Sequence, residues 1–141
     1  MEIVPYIFFN GQCKVAMKFY EKVFGGKIHG LMTYGDSPAA KDFAADQKNR
    51  IIHARMDVGN SVLMASDAPP AHHRQPQGFS LSVSVKDPAE AERVFAALAE
   101  NGTIQMPIAQ TFWSVRFGML TDQFGMPWMV NCEQAASTVG A

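Results

Sequence analysis

The sequence is poor in cysteine, has no excess of one charge and contains no long apolar run. Its two cysteines, Cys13 and Cys132, lie far apart without metal-site spacing, so we expect free thiols in a reducing compartment. Twelve basic against thirteen acidic residues give a net charge of −1 with no basic cluster, which argues against nucleic acid as a partner. The apolar runs are far shorter than the roughly 20 residues of a membrane span, and no signal peptide is visible. We therefore expect a soluble cytoplasmic protein that binds neither nucleic acid nor membrane.

The first half of the sequence predicts one strand, one helix and three further strands. Asn10 and Gly11 mark a turn after an apolar, β-prone segment. The next segment is an amphipathic helix, because its apolar residues recur at spacings of three and four. The apolar stripe of this helix comprises Ala16, Phe19, Tyr20 and Val23. The predicted elements are strand 2–9, helix 12–24, strand 27–34, loop 35–49, strand 51–58 and strand 61–66.

The second half repeats this order after a polar, proline-bearing linker. Asp87 is typical of a helix N-cap, Pro88 suits the first turn, and Glu90 predicts a capping box. Asn101 and Gly102 end the helix in the manner of a left-handed cap. The apolar stripe of this helix comprises Ala91, Val94, Phe95 and Leu98. The other predicted elements are strands 79–85, 103–110, 111–120 and 126–132, with a frayed tail at 135–141.

The repeated order predicts an α+β fold made of tandem βαβββ modules. The modules cover residues 1–66 and 78–134 of one domain, joined by a linker at 67–77. Each module places one helix on the back of four strands, and together they predict a curved, partly closed mixed sheet around a cleft. The alternative is an ordinary α+β sandwich in which the repeat is coincidental.

Several segments carry a family resemblance. They are 5–11, 16–26, His53-Ala54, 63–67, 113–118 and 121–131, the last reading Thr-Asp-Gln-Phe-Gly-Met-Pro-Trp-Met-Val-Asn. Together they resemble PhnB-like proteins of the vicinal oxygen chelate superfamily, which also contains glyoxalase I, extradiol dioxygenases and bleomycin-resistance proteins. The resemblance implies paired βαβββ modules and a homodimer. Some members of this branch carry a demethylubiquinone methyltransferase name, but no glycine-rich loop follows a strand here to seat an adenosyl cofactor.

The resemblance also implies where a divalent metal would bind. Superfamily enzymes hold the ion with one side chain from the first and one from the last strand of each module. By register these positions fall at Pro5, Met64, Ser80 and Met129. Hard and borderline ions need carboxylate, imidazole or carbonyl oxygen, and a thioether suits copper(I) at best. We therefore expect no metal and no other cofactor.

A cleft between the modules would be lined by residues that do not pack under the helices. His53 has a reference pKa suited to proton transfer, which makes it the candidate catalytic residue; a purely structural hydrogen bond to a carbonyl or to Asp67 is the alternative. Arg55 and Arg116 could hold a carboxylate through the guanidinium fork. The candidate ligand-binding residues are Arg55, Met64, Ser66, Ser80, Ser82, Trp113, Arg116, Met129 and Asn131.

These observations predict a small protein that binds a small organic molecule in a metal-free cleft. The first alternative is an isomerase or lyase acting next to a carbonyl, with His53 as proton carrier and Arg116 as substrate anchor. The second is a structural protein in which the dimer is the functional unit. The sequence does not decide whether the protein is an enzyme, since it contains no nucleophile elbow, phosphate loop or Cys–His signature.

Overall fold

The computed structural model describes residues 1–133, so the predicted tail at 135–141 lies outside the described residues. The chain divides into two compact units, Met1–Arg74 and a second that begins at Gln75. The boundary falls within the predicted linker at 67–77. Among the helices of residues 1–133, none combines the length and apolar character that crossing a membrane requires.

The first unit contains one helix against a four-stranded mixed sheet. Its strands lie in the order β1-β4-β3-β2, with β1 parallel to β4 and the other neighbours antiparallel. The predicted loop at 35–49 contains two short 3₁₀ turns. The elements are β1 Tyr6–Phe9, α1 Cys13–Phe24, β2 Lys27–Thr33, β3 Ile51–Val58 and β4 Ser61–Asp67.

The second unit repeats this topology, which confirms the predicted tandem βαβββ order. Its strands lie in the order β5-β8-β7-β6, again with one parallel pair, β5 with β8. The eight strands of residues 1–133 therefore form two mixed sheets of four, neither of them closed. The elements are β5 Leu81–Val85, α2 Pro88–Ala99, β6 Thr103–Ala109, β7 Ser114–Thr121 and β8 Pro127–Glu133.

Three strands begin two or more residues later than the sequence pattern predicts. β1 begins at Tyr6 and not at residue 2; Pro5 cannot donate a backbone hydrogen bond, although its carbonyl accepts one of 3.1 Å from Met64. β7 begins at Ser114 because the N–H of Thr111 turns back to the Ser114 carbonyl at 3.0 Å. β5 begins at Leu81, two residues after the predicted start. In each case the apolar run extends beyond the paired backbone.

Each helix buries its apolar stripe against the sheet of its own unit. All four predicted stripe residues of α2 are buried. In α1, Met17 is fully buried and Phe19 only partly, so the prediction of Phe19 as a stripe residue is wrong and Met17 takes its place. Met17 lies four residues after Cys13 and three before Tyr20, both of them buried, so helical spacing places it on the same face.

Asp87 and Asn101 cap α2 as predicted. The Asp87 carboxylate accepts a hydrogen bond of 3.2 Å from the backbone N–H of Ala89, and Asn101 has a left-handed φ of 57°. The predicted capping box is wrong. Glu90 instead forms an ion pair with Arg93, which lies three residues along on the same face of the helix, with an N–O distance of 2.6 Å.

The start of α1 is held by a carboxylate from the far end of the unit. Its N-cap residue, Gln12, makes no side-chain cap hydrogen bond. Asp67, the last residue of β4, is 1% exposed and accepts hydrogen bonds from the backbone N–H groups of Gly11 at 2.8 Å, Cys13 at 3.0 Å and Ile51 at 2.9 Å. One buried side chain therefore fixes the β1–α1 turn, the helix start and the start of β3.

Cys13 lies beside this carboxylate in the core. Burial, and to a lesser extent the charge of Asp67, raises the pKa of the Cys13 thiol far above its ordinary value of 9.0. The thiol is therefore protonated throughout the physiological range and is not a candidate nucleophile.

We expect Asp67→Ala to lower the free energy of unfolding by at least about 3 kcal/mol, because three backbone N–H groups lose their acceptor and each costs about 1–3 kcal/mol. Asp67→Asn keeps one acceptor oxygen and should lose less. Urea denaturation measures both, with the exposed Asp46→Ala as control at within about 0.5 kcal/mol of the parent. An Asp67→Ala protein as stable as the control would contradict the anchoring role.

We also expect stability to fall as the pH rises above 9.0, the ordinary pKa of cysteine. The unfolded chain then loses the Cys13 proton while the folded chain keeps it, so the free energy of unfolding declines by up to about 1.4 kcal/mol per pH unit from this group. Urea denaturation at pH 8, 9 and 10 should give a shallower decline for Cys13→Ala. Equal slopes would refute the assignment.

Candidate functional site

Each sheet has one face covered by its helix and one open face. On the first sheet, Ile7 and Phe9 of β1 are buried, whereas Tyr6 and Phe8 are 38% and 51% exposed. Since side chains alternate along a strand, the strand register defines the residues of the first open face. They include Tyr6, Phe8, Met32, His53, Arg55, Asp57, Met64 and Ser66.

Tyr6 and His53 form a hydrogen-bonded pair on the first open face. The Tyr6 hydroxyl lies 3.1 Å from His53 Nδ1, and the two ring centroids are 5.7 Å apart. Phe8 extends the aromatic cluster, with its ring 5.1 Å from that of Tyr6. Asp67, considered above as a structural partner for His53, instead bonds to backbone N–H groups. His53 therefore presents an oriented ring among apolar surfaces.

Arg55 adds a positive charge to the same face. It pairs with Met64 on β4, and Met64 pairs with Tyr6 on β1. Its Nε lies 3.3 Å from Asp57, and both side chains are more than a third exposed. An ion pair with this exposure is weak, so the guanidinium can turn to an anionic ligand at little cost.

In β1, the residue opposite Met64 is one position later than the predicted metal position. Tyr6, and not Pro5, lies opposite Met64. The alternation of buried Ile7 and Phe9 leaves Tyr6 and Phe8 facing outward, which distance from Gly11 does not reveal. Ser66 lies in register with Phe8 but is only 5% exposed, so it is the least accessible predicted ligand contact in this unit.

The open face of the second sheet is built in the same way. Ser82 lies opposite Met129, and Met129 opposite Met119. The predicted position Ser80 precedes β5, so the register places Ser82 where Ser80 was expected. The residues of the second open face are Ser82, Ser84, Met106, Phe117, Met119, Met129 and Asn131.

Arg116 lies on the opposite, helix-covered side of the second sheet, which corrects its predicted place in the cleft. It pairs with Cys132, which is fully buried, and its Nε lies 3.0 Å from Glu92 of α2. Gly118, two residues on, faces the same helix so closely that a Cβ there would lie 2.6 Å from Phe95. Val115 interrupts the register between Ser114 and Arg116, a local irregularity that the alternation pattern does not reveal.

Trp113 lies beside the second open face, and Asn131 lies on it. Trp113 is 46% exposed and makes an edge contact with Phe117, with ring centroids 5.6 Å apart. Phe117 lies opposite Asn131 in the register. The side-chain oxygen of Asn131 accepts a hydrogen bond from the Ser114 hydroxyl, which fixes the orientation of the amide.

The donors at the metal positions of the superfamily do not fit a hard or borderline divalent ion. The strand register places Tyr6 opposite Met64 and Ser82 opposite Met129. They offer a phenol, two thioethers and a hydroxyl in place of imidazole and carboxylate groups. Within residues 1–133, the His, Cys, Asp and Glu side chains form no group of three or more that could hold a metal.

Comparisons with known proteins place this chain in a family. Residues 1–131 match the family model described as 3-demethylubiquinone-9 3-methyltransferase. A crystal structure of protein PA1353 from Pseudomonas aeruginosa is 49% identical, covers 96% of this chain and 99% of its own, and has a TM-score of 0.88. A PhnB protein from Bacillus cereus is 26% identical over 94% of this chain and 99% of its own, with a TM-score of 0.79.

Protein YjdN from Escherichia coli (strain K12) is 33% identical over 93% of this chain and 95% of its own length. At 12% identity, a solved glyoxalase/bleomycin-resistance/dioxygenase domain supports the fold alone. The resemblance to PhnB-like proteins is thereby confirmed.

We expect the Arg116–Glu92 pair to be a minor structural contact. The two side chains are 33% and 50% exposed, so their coupling energy should stay below about 1 kcal/mol. A double-mutant cycle with Arg116→Gln and Glu92→Gln, followed by urea denaturation, measures it. A coupling above about 2 kcal/mol would mean that the pair is a main support of the second unit.

Proposed function

The chain belongs to the 3-demethylubiquinone-9 3-methyltransferase family, and from that premise we propose that it binds a small organic molecule on the first open face, without the divalent ion of the superfamily. The observation that carries this proposal is the Tyr6–His53 hydrogen bond, which is set among exposed aromatic and thioether side chains. Apolar residues grouped around a few fixed polar groups are typical of a ligand site.

The apolar part of the first open face favours a flat ligand. Tyr6, Phe8 and Met32 are 38%, 51% and 46% exposed and lie on neighbouring rows of one sheet. Burying such surface yields about 25 cal/mol for each Å² removed from water. Aromatic rings stack on flat molecules, and the flexible thioether adapts to their outline.

The polar part favours a ligand with an anionic group. Arg55 lies in the row that contains Tyr6 and Met64. A guanidinium binds a carboxylate through two parallel hydrogen bonds, while His53 and Tyr6 can orient a neighbouring carbonyl or hydroxyl. The proposed ligand is therefore a planar organic acid.

A second candidate function is proton transfer next to a carbonyl, favoured by the same Tyr6–His53 pair. A histidine that is oriented by a hydroxyl group is suited to moving a proton between adjacent atoms of a bound acid. The predicted substrate anchor Arg116 does not serve this reaction, since it bonds to Glu92 beside α2. Arg55 takes that role in this version of the proposal.

Methyl transfer, the activity in the family description, is not what we propose. An adenosyl cofactor would need a seat, such as a glycine-rich loop between a strand and a helix. In residues 1–133, the two loops that join a strand to a following helix use their N–H groups otherwise: Asp67 accepts those of Gly11 and Cys13, and Asp87 accepts that of Ala89. The residues present do not fit the cofactor.

The predicted homodimer and cytoplasmic location belong to the same proposal. The dimer is an expectation from the family resemblance, and the location is an expectation from the composition. Sedimentation at several protein concentrations would detect the dimer.

We expect aromatic carboxylates to raise the melting temperature of the protein. Phe8→Ala and Arg55→Gln should each weaken binding about tenfold, or about 1.4 kcal/mol, since one removes stacking surface and the other the anion partner. Calorimetric titration measures this, with Arg116→Gln as the matched control, because it removes the same charge on the helix-covered side. Equal losses for Arg116→Gln and Arg55→Gln would contradict the proposed site.

The proton-transfer candidate has its own test. Exchange of hydrogen for deuterium next to the carbonyl of a bound keto acid, followed by NMR, should be abolished in His53→Gln while binding persists. Exchange that is unchanged in His53→Gln would eliminate this candidate and leave the binding proposal standing.

A further inference from the structure

Three methionines lie side by side across three strands of the second sheet. Met106 of β6 pairs with Met119 of β7, and Met119 pairs with Met129 of β8. We propose that these residues, the methionine row, form a binding site for a soft monovalent cation of the copper(I) type. The proposal goes beyond the binding of an organic ligand on the first sheet and does not depend on it.

A β-bulge brings the third sulfur to this face. Ile104 pairs with Leu120, whose side chain is buried, whereas Met106 pairs with Met119. Residues two apart on a regular strand share a face, so the register shift between Ile104 and Met106 is what turns Met106 to the open side. Met106 is 40% exposed there, which leaves the row accessible from solvent.

The spacing lets the three sulfurs converge on one ion. Paired residues on adjacent antiparallel strands have Cβ atoms about 4.5–5.5 Å apart. Met106 and Met129 flank Met119 at this spacing, and their unbranched side chains have enough rotatable bonds to lean toward the central sulfur. A three-sulfur site of this kind selects soft cations such as copper(I) over magnesium, manganese or zinc.

The first unit shows that the row is not a general property of the fold. The equivalent row there consists of Tyr6, Met64, Arg55 and Gly30, with a register shift at the same point between Ile28 and Gly30. A guanidinium occupies the central position that Met119 has in the second unit, and it would repel a cation. Met64 is therefore a matched control on an otherwise equivalent frame.

The test uses silver(I) nitrate in chloride-free buffer as a redox-inert probe, with the full chain labelled at the methionine methyl carbons. Of the nine methionine signals, those of Met106, Met119 and Met129 should shift together and saturate near one equivalent. Met119→Leu, which conserves volume, should weaken binding at least tenfold, and Met106→Leu on the exposed edge strand should also weaken it. Met64→Leu should bind like the parent.

The pH dependence separates this site from histidine or cysteine. A thioether carries no proton in this range, so affinity should be constant from pH 5.5 to 8, whereas imidazole and thiolate ligands would bind more tightly as the pH rises. Binding that rises with pH, survives Met119→Leu or shifts other methionine signals would overturn the proposal. Failure of silver(I) to bind at all would do the same.

Discussion

The carboxylate of Asp67 is the contact on which the first unit depends. It is buried at the end of β4 and accepts N–H groups from the β1–α1 turn, the first residue of α1 and the first residue of β3. The helix has no side-chain cap of its own, so its direction over the sheet depends on this distant acceptor. Ile7 and Phe9 are buried, with the Phe9 ring 6.4 Å from that of Tyr20 of α1, and alternation turns Tyr6 and Phe8 to the open face.

The duplicated frame carries two different surfaces. Both units keep the same strand order, the same parallel pair and the same register shift on the edge strand that follows the helix. At equivalent positions of the two sheets, the first unit has Arg55 and the second has Met119. The first face thus combines aromatic rings with charge, and the second is rich in thioether. The two units therefore share a backbone topology but present different side chains on their open faces.

The sequence predicts the topology well because periodicity records burial. The stripe of α2 and the alternation of β3, with Ala54 and Met56 inside and His53 and Arg55 outside, are both found in the structure. Periodicity of apolar residues does not predict an irregular backbone. The skipped residue Val115 places Arg116 beside α2, and no pattern of apolar residues signals it.

Periodicity also does not predict hydrogen-bond partners that are far apart in the sequence. Asp67 was predicted to start the linker or to bond to His53, but it bonds to three backbone N–H groups as many as 56 residues away. Tyr6 was read as part of an apolar strand, and its partner His53 lies 47 residues along the chain. The residue opposite Met64 is Tyr6 and not Pro5, because the buried neighbours Ile7 and Phe9 define the face, whereas distance from Gly11 does not.

The central claim is that the Tyr6–His53 pair and its apolar neighbours receive a ligand. The most direct measurement is a crystal structure of the protein with an aromatic carboxylate bound. The account predicts density stacked on Phe8 and Tyr6, with the carboxylate at Arg55 and a polar group within hydrogen-bonding distance of His53. Density only against the helix-covered sides, or only at Arg116, would contradict it.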